Sequence, residues 1–220
     1  MLKMDLAKFI DHTVLKPDTT LEEIRRVCAE ALEHGFAAVC VPPYFAKQAV
    51  DLLEGSKVKV ATVIGFPMGY SATFAKVEEI KRALNEGVSE LDVVINISAA
   101  KNGDWNHVRN DMDSMTRSAH LKGKLVKVIL ETALMTEPEL KKLCEICTEL
   151  EVDYVKTSTG INATGATVEH VQFLRKNLPA SIKIKASGGI RSAELAQELI
   201  EAGANRIGSS SSLKIVGKNS

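Results

Sequence analysis

Short apolar runs alternate with longer amphipathic stretches along the whole of this sequence. Eight runs read as strands, at 9–13, 37–41, 59–65, 90–96, 125–131, 152–158, 182–187 and 205–209. Their starts fall 22 to 35 residues apart, about the length of a strand plus a crossover helix. The stretches between them carry helix signals. Thr20 with Glu23 and Thr136 with Glu139 form capping boxes, in which hydroxyl and carboxylate satisfy N–H groups that have no partner inside the helix. Gly35, Gly55, Gly87, Gly123 and Gly203 stand where helical stretches end, a position that suits a left-handed residue. Leu195, Leu199, Ile200 and Ala202 fall at helical spacing.

Alternating strands and helices predict a parallel sheet covered by helices. Eight repeats in 220 residues favour an α/β fold made of one (β/α)8 barrel domain spanning 1–220. A doubly wound open sheet is the rival, but no GxGxxG follows the first run. A short N-terminal helix within 2–10 is expected to cover the N-terminal end of the barrel. About ten residues follow Ser210, so the last helix must be short.

Strands buried on both faces should be almost wholly apolar. Several here are not, and their charges share one parity. Lys183 and Lys185 oppose Ile182 and Ile184, Lys156 opposes Val155, and Asp92 opposes Leu91 and Val93. Lys127 and Glu131 oppose Val126, Val128 and Leu130. The apolar parity must pack against the helices, which sends the charges into the barrel. One reading is an internal salt-bridge network of Lys127, Glu131, Lys156, Lys185 and Asp92 that fills the core, with Lys183 snorkelling or paired. Lys156, Lys185 and Asp92 invite a second reading. Each lies towards the C-terminal end of its run, where barrel active sites open.

The chemistry that suits them is amine catalysis. A lysine with a pKa of about 10.4 must be made neutral to act as a nucleophile near pH 7. Lysines on adjacent strands lie about 4.8 Å apart, and two such charges repel by roughly 3 kcal/mol at an effective dielectric of about 20. One lysine can then be the nucleophile while its neighbour stays cationic. Beyond Lys185, Gly188-Gly189 opens the turn after the seventh run, and Gly208-Ser209-Ser210-Ser211-Ser212 leaves the eighth. Loops in these two places are the usual phosphate site of such barrels, because glycine lets backbone N–H groups approach an anion. Thr157-Ser158-Thr159-Gly160 lies beside them in the predicted order.

Composition narrows the function class. The chain is 45% hydrophobic and 25% charged, with 28 basic and 28 acidic residues. That neutrality argues against a nucleic-acid footprint or a membrane-surface patch, and it suits an enzyme acting on small molecules. No apolar stretch approaches the ~18–20 residues of a membrane span, and no apolar leader follows Met1, so a cytoplasmic location is expected. Cys144 and Cys147 fall on the apolar face of a helical stretch with Leu140, Leu143 and Leu150, which reads as core packing. No second Cys or His pair has metal-ligand spacing, so no metal or other cofactor is expected.

Ile10-Asp11-His12-Thr13, Ala38-Val39-Cys40-Val41, Leu91-Asp92-Val93-Val94-Ile95-Asn96 and Lys127-Val128-Ile129-Leu130-Glu131-Thr132 occur in that order. They are followed by Val155-Lys156-Thr157-Ser158-Thr159-Gly160, Lys185-Ala186-Ser187-Gly188-Gly189-Ile190 and Ile207-Gly208-Ser209-Ser210-Ser211. With these stretches the chain resembles the deoxyribose-phosphate aldolases, a family of class I aldolases, along essentially its whole length. The resemblance implies Lys156 as the Schiff-base lysine, Asp92 as proton-transfer partner and Lys185 as the neighbouring amine. It implies phosphate contacts from Gly160, Gly188, Gly189, Gly208, Ser210 and Ser211. It also implies a sugar phosphate and an aldehyde as ligands, and a homo-oligomer. Ile161 stands where the family often has Phe or Lys, Thr164 where Gly is usual, and Ser209 where Thr or Ala is common. The sequence ends at Asn219-Ser220 without a tyrosine, so no role for a tail is expected. The rivals are another Schiff-base aldolase, a phosphate-binding barrel isomerase using Asp92 with a lysine, and a sugar-phosphate binding protein.

Overall fold

The structure, a computed structural model, describes residues 5–217. The elements run β1 (Ile10–Thr13), α1 (Leu21–His34), β2 (Ala38–Val41), α2 (Ala46–Leu52), β3 (Lys59–Ile64), α3 (Thr73–Asn85) and β4 (Glu90–Val94). They continue with α4 (Ile97–Lys101), α5 (Trp105–His120), β5 (Leu125–Ile129), α6 (Glu137–Glu149), β6 (Tyr154–Lys156) and α7 (Val168–Asn177). The chain closes with β7 (Lys183–Ser187), α8 (Ala193–Glu201), β8 (Arg206–Ser209) and α9 (Ser212–Ile215).

All eight strands pair in parallel with their sequence neighbours, and β8 pairs with β1, so the sheet is a closed barrel. Every strand lies within a run expected from the sequence. The runs overreach at their ends, where residues such as Ile95, Leu130, Glu131, Thr157 and Ser158 continue past the last ladder pair.

The helices begin and end for the reasons the sequence supplies. The Thr20 N–H donates to the Glu23 carboxylate at 2.9 Å, and the Glu23 N–H returns to the Thr20 hydroxyl at 3.3 Å. At α6 the Thr136 N–H donates to Glu139 at 2.7 Å. Gly35 closes α1 in the left-handed conformation, with φ +66°. Where a short N-terminal helix is expected, a single 3-10 turn spans Leu6–Phe9, with Ala7 buried; positions 2–4 lie outside the described residues, as do 218–220.

The main core lies between barrel wall and helices and includes Ile10, Val39, Leu91, Val93, Val126, Val128, Val155, Ile184 and Ile207. These are the apolar parity. Cys144 and Cys147 are buried in it, and burial pushes the Cys144 thiol up to about 12. The layer also holds one ion pair with no sequence signature. Lys76 of α3 is fully buried and donates to Asp111 of α5 and to the Val94 carbonyl, at 2.8 and 3.0 Å.

Inside the barrel the lining divides. Cys40, Ala61 and Val63 form a small apolar cluster on β2 and β3. Facing them, Asp11, Asp92, Lys127, Lys156 and Lys185 are all buried. Lys183 is exposed and extends its ammonium over the Tyr154 ring, 5.6 Å from the centroid.

Candidate active site

Lys156 is the last residue of β6 and pairs in register with Lys185 of β7. Two lysines in register on adjacent parallel strands necessarily point the same way. Asp92 and Lys185, however, are the central residues of their strands rather than terminal ones. The stagger that closes a barrel still lets the three side chains meet. Lys156 Nζ lies 2.8 Å and Lys185 Nζ 2.7 Å from the same oxygen, Asp92 Oδ2.

The other oxygen, Asp92 Oδ1, accepts from Lys127 at 3.0 Å. Lys127 also meets Glu90 Oε2 at 2.6 Å and Asp11 Oδ2 at 3.8 Å. Asp11 bridges onward to Lys185 at 2.5 Å and to Arg206 at 2.6 Å. Arg206 reaches Glu90 at 3.3 Å and lies near the Tyr154 ring. The interior therefore holds four cations (Lys127, Lys156, Lys185, Arg206) and three carboxylates (Asp11, Glu90, Asp92).

The network expected from the sequence is thus corrected in two ways. Glu131 does not belong to it. Its strand ends at Ile129, and Glu131 itself takes a left-handed backbone with φ +54°, which breaks the alternation that would have aimed it at Lys127. Conversely, Asp11, Glu90 and Arg206 belong to the network and were not singled out. Glu90 carries a signal, since it shares parity with Asp92 two residues later. Asp11 is masked by its neighbour His12, which is polar but faces the helices. His12 bonds Glu30 at 2.6 Å and the Ser212 hydroxyl at 2.9 Å.

Electrostatics follow from this geometry. Burial opposes the charge on Asp92, but Lys127, Lys156 and Lys185 outweigh it and hold its carboxyl well below the usual range. Asp11 is likewise lowered, against burial, by Lys185, Lys127 and Arg206. Burial also opposes the charge on Lys185, yet Asp11 and Asp92 raise its pKa above the ordinary value. Lys127 is raised similarly by Asp92, Glu90 and Asp11. Cys40 Sγ lies 4.0 Å from Asp92 Oδ2, and burial pushes its thiol up to about 11.

The glycine-rich loops come together beside this cluster. A Cβ on Gly188 would lie 2.8 Å from the Gly165 Cα and 3.1 Å from the Gly160 Cα, so the β6–α7 and β7–α8 loops pack backbone on backbone. The N–H groups of Gly188, Gly189 and Ser210 make no hydrogen bond among the described residues. Ser210 is exposed. The Ser211 N–H is engaged by the Ser209 hydroxyl at 2.9 Å, leaving its side chain as the group Ser211 can offer. Gly208 lies in β8 itself, where a Cβ would stand 3.1 Å from the Lys185 Cε. Its missing side chain leaves room for the Lys185 stem.

Comparison with known proteins gives this geometry its family. The profile of the DeoC/LacD aldolases matches residues 6–218. The chain belongs to the DeoC/LacD aldolase family. A protein of Thermococcus gammatolerans named deoxyribose-phosphate aldolase is 52% identical over 98% of this chain and 97% of its own length. One of the same name from Brevibacillus brevis is 48% identical, covering 97% and 96%. Among solved structures, the tetrameric deoxyribose phosphate aldolase of Aeropyrum pernix superposes with a TM-score of 0.90 at 35% identity, covering 96% of this chain and 89% of that one. Membership makes the chain a carbon–carbon lyase and fits an interior arranged around amines.

Proposed function

We propose that this protein reversibly cleaves 2-deoxy-D-ribose 5-phosphate to D-glyceraldehyde 3-phosphate and acetaldehyde through an imine on Lys156. The observation that carries this reading is the charge count of the barrel cluster, three buried lysines and the half-buried Arg206 against three buried carboxylates. An uncompensated charge is costly in a dry interior, and loss of one proton balances the cluster. Lys127 faces three carboxylates, while Lys185 and Arg206 face two each and Lys156 only one. Lys156 therefore has the fewest carboxylate partners of the four, and it lies at the mouth end of its strand.

Neutral Lys156 attacks the C1 aldehyde, and loss of water leaves a protonated imine. The C3 hydroxyl then surrenders its proton, the C2–C3 electron pair moves into the imine, and glyceraldehyde 3-phosphate departs. The enamine that remains takes a proton at C2, and water hydrolyses the resulting imine to acetaldehyde, restoring the amine. Lys185, held cationic by Asp11 and Asp92, supplies and recovers protons. Asp92 relays between the two lysines through the oxygen they share. Backbone N–H groups of Gly188, Gly189 and Ser210, with the hydroxyls of Ser210 and Ser211, receive the phosphate, and Gly160 and Gly208 shape the wall behind it.

The same proposal takes 1–220 as one domain, places it in the cytoplasm and makes it a homo-oligomer. The tetramer of the Aeropyrum pernix relative supports the last. No helix among the described residues is long and apolar enough to cross a membrane. Borohydride reduction with deoxyribose 5-phosphate or acetaldehyde, followed by peptide mass mapping, tests the mechanism. A substrate-dependent adduct on Lys156 is expected. Its absence in folded, substrate-saturated protein overturns the imine.

A further inference from the structure

Glu131 is fully buried at the C-terminal end of the barrel, and among the described residues it pairs with no cation. Such a carboxylate persists only where hydrogen-bond donors replace its water. All of its donors come from one loop, the turn that follows Lys156. Thr159 donates its N–H to both carboxylate oxygens at 3.3 Å and its hydroxyl to Oε2 at 2.5 Å. Asn162 Nδ2 adds a bond to Oε2 at 3.2 Å and one to the Pro67 carbonyl, in the loop after β3, at 2.8 Å. The Thr159 hydroxyl in turn accepts from the N–H groups of Ile161 and Asn162, at 3.1 and 3.3 Å. Glu131 also adopts left-handed backbone, which is uncommon for a non-glycine residue and costs free energy that the surroundings must supply.

We infer that Glu131 is a positioning residue. Its carboxylate fixes the 159–162 turn across the barrel mouth, and through that turn it sets the phosphate site. The connection is direct, because Gly160, inside the turn, packs backbone to backbone against Gly188. A carboxylate suits the task because it only accepts, and every group facing it is a donor. Glutamine at this position presents an amide N–H2 to the Thr159 or Asn162 donors and forfeits at least one of these bonds. The phosphate half of the inference rests on the aldolase reading given above.

The test uses the full-length protein and the variants Glu131→Gln, Thr159→Ala and the double variant. Hydrogen exchange at the amides of Thr159, Ile161 and Asn162 reads the turn without reference to activity. Faster exchange there in Glu131→Gln, with core strands unchanged, is expected; unchanged exchange overturns the inference. The ratio of kcat/KM for deoxyribose 5-phosphate to kcat/KM for unphosphorylated deoxyribose reads the phosphate site, and it does not depend on how much of the protein is folded. It should fall about tenfold in Glu131→Gln, the scale of one charge-assisted hydrogen bond, with little further loss in the double variant. An unchanged ratio, or losses that simply multiply, removes the link from Glu131 through Thr159 to phosphate. Wild-type protein that turns over neither sugar removes the aldolase reading and the phosphate link together, while the exchange result still decides the anchoring role.

Discussion

Lys156 and Lys185 donate to a single carboxylate oxygen, Asp92 Oδ2, at 2.8 and 2.7 Å from adjacent strands in register. One oxygen shared by two amines gives a proton a path between them without either side chain moving. It also places the two positive charges close enough to repel strongly when both are protonated.

The charge imbalance predicts that Lys156→Met abolishes turnover without weakening the fold. The substitution leaves three cations facing three carboxylates, so urea midpoints should stay at or above those of the parent. Lys127→Met should do the reverse. It strands carboxylates that Lys127 neutralises and should cost about 3–5 kcal/mol, the usual penalty for breaking one side of a buried ion pair. Equal urea midpoints for the two variants would show that the interior is not governed by how many carboxylates each lysine faces.

Replacing Lys185 with Leu removes the cation that shares Asp92 Oδ2 with Lys156 and leaves that carboxylate to Lys156 on this side. Both changes favour the ammonium form of the nucleophile. The acid limb of the pH–rate profile should therefore move to higher pH, by roughly one to two units, together with a fall in rate. A pH series of initial rates measures this. A profile that stays in place at a similar rate would sink the two-lysine argument.

Stability should depend on pH in three separate windows. Asp11 and Asp92 have lowered pKa values, so their contribution is complete above the unfolded carboxylate value of about 4 and is lost as pH falls below it. The raised Lys127 and Lys185 contribute fully below about 10.4, so the barrel cluster works undiminished between those limits. His12 behaves differently. Burial lowers its pKa, against the pull of Glu30, so the unfolded chain takes up its proton first and stability falls as pH drops through about 6.5. Melting temperatures from pH 4 to 9 should show this slope in the parent and lose it in His12→Gln. A slope that survives the substitution assigns it to another group.

Much of the site was legible because a strand alternates with period two. Asp92, Lys127, Lys156 and Lys185 each stand opposite apolar neighbours, and that pattern alone turns them into the barrel. The same reasoning failed for Glu131, because alternation lapses once the strand ends, and Glu131 stands two residues past Ile129 in left-handed backbone. It was silent on Lys76, whose partner Asp111 is 35 residues away on another helix.

The sequence by itself determined the eight strands, the capped helices and the inward face of Asp92, Lys127, Lys156 and Lys185, since these depend on side-chain period and on residues within a turn of one another. The tertiary structure decided which charges share an oxygen, that Asp11 and Arg206 complete the interior with Glu90, and that Glu131 belongs to a loop instead. Those outcomes depend on strand stagger and on closure of β8 onto β1. They bring together residues as distant as Asp11 and Arg206, which no local pattern can relate.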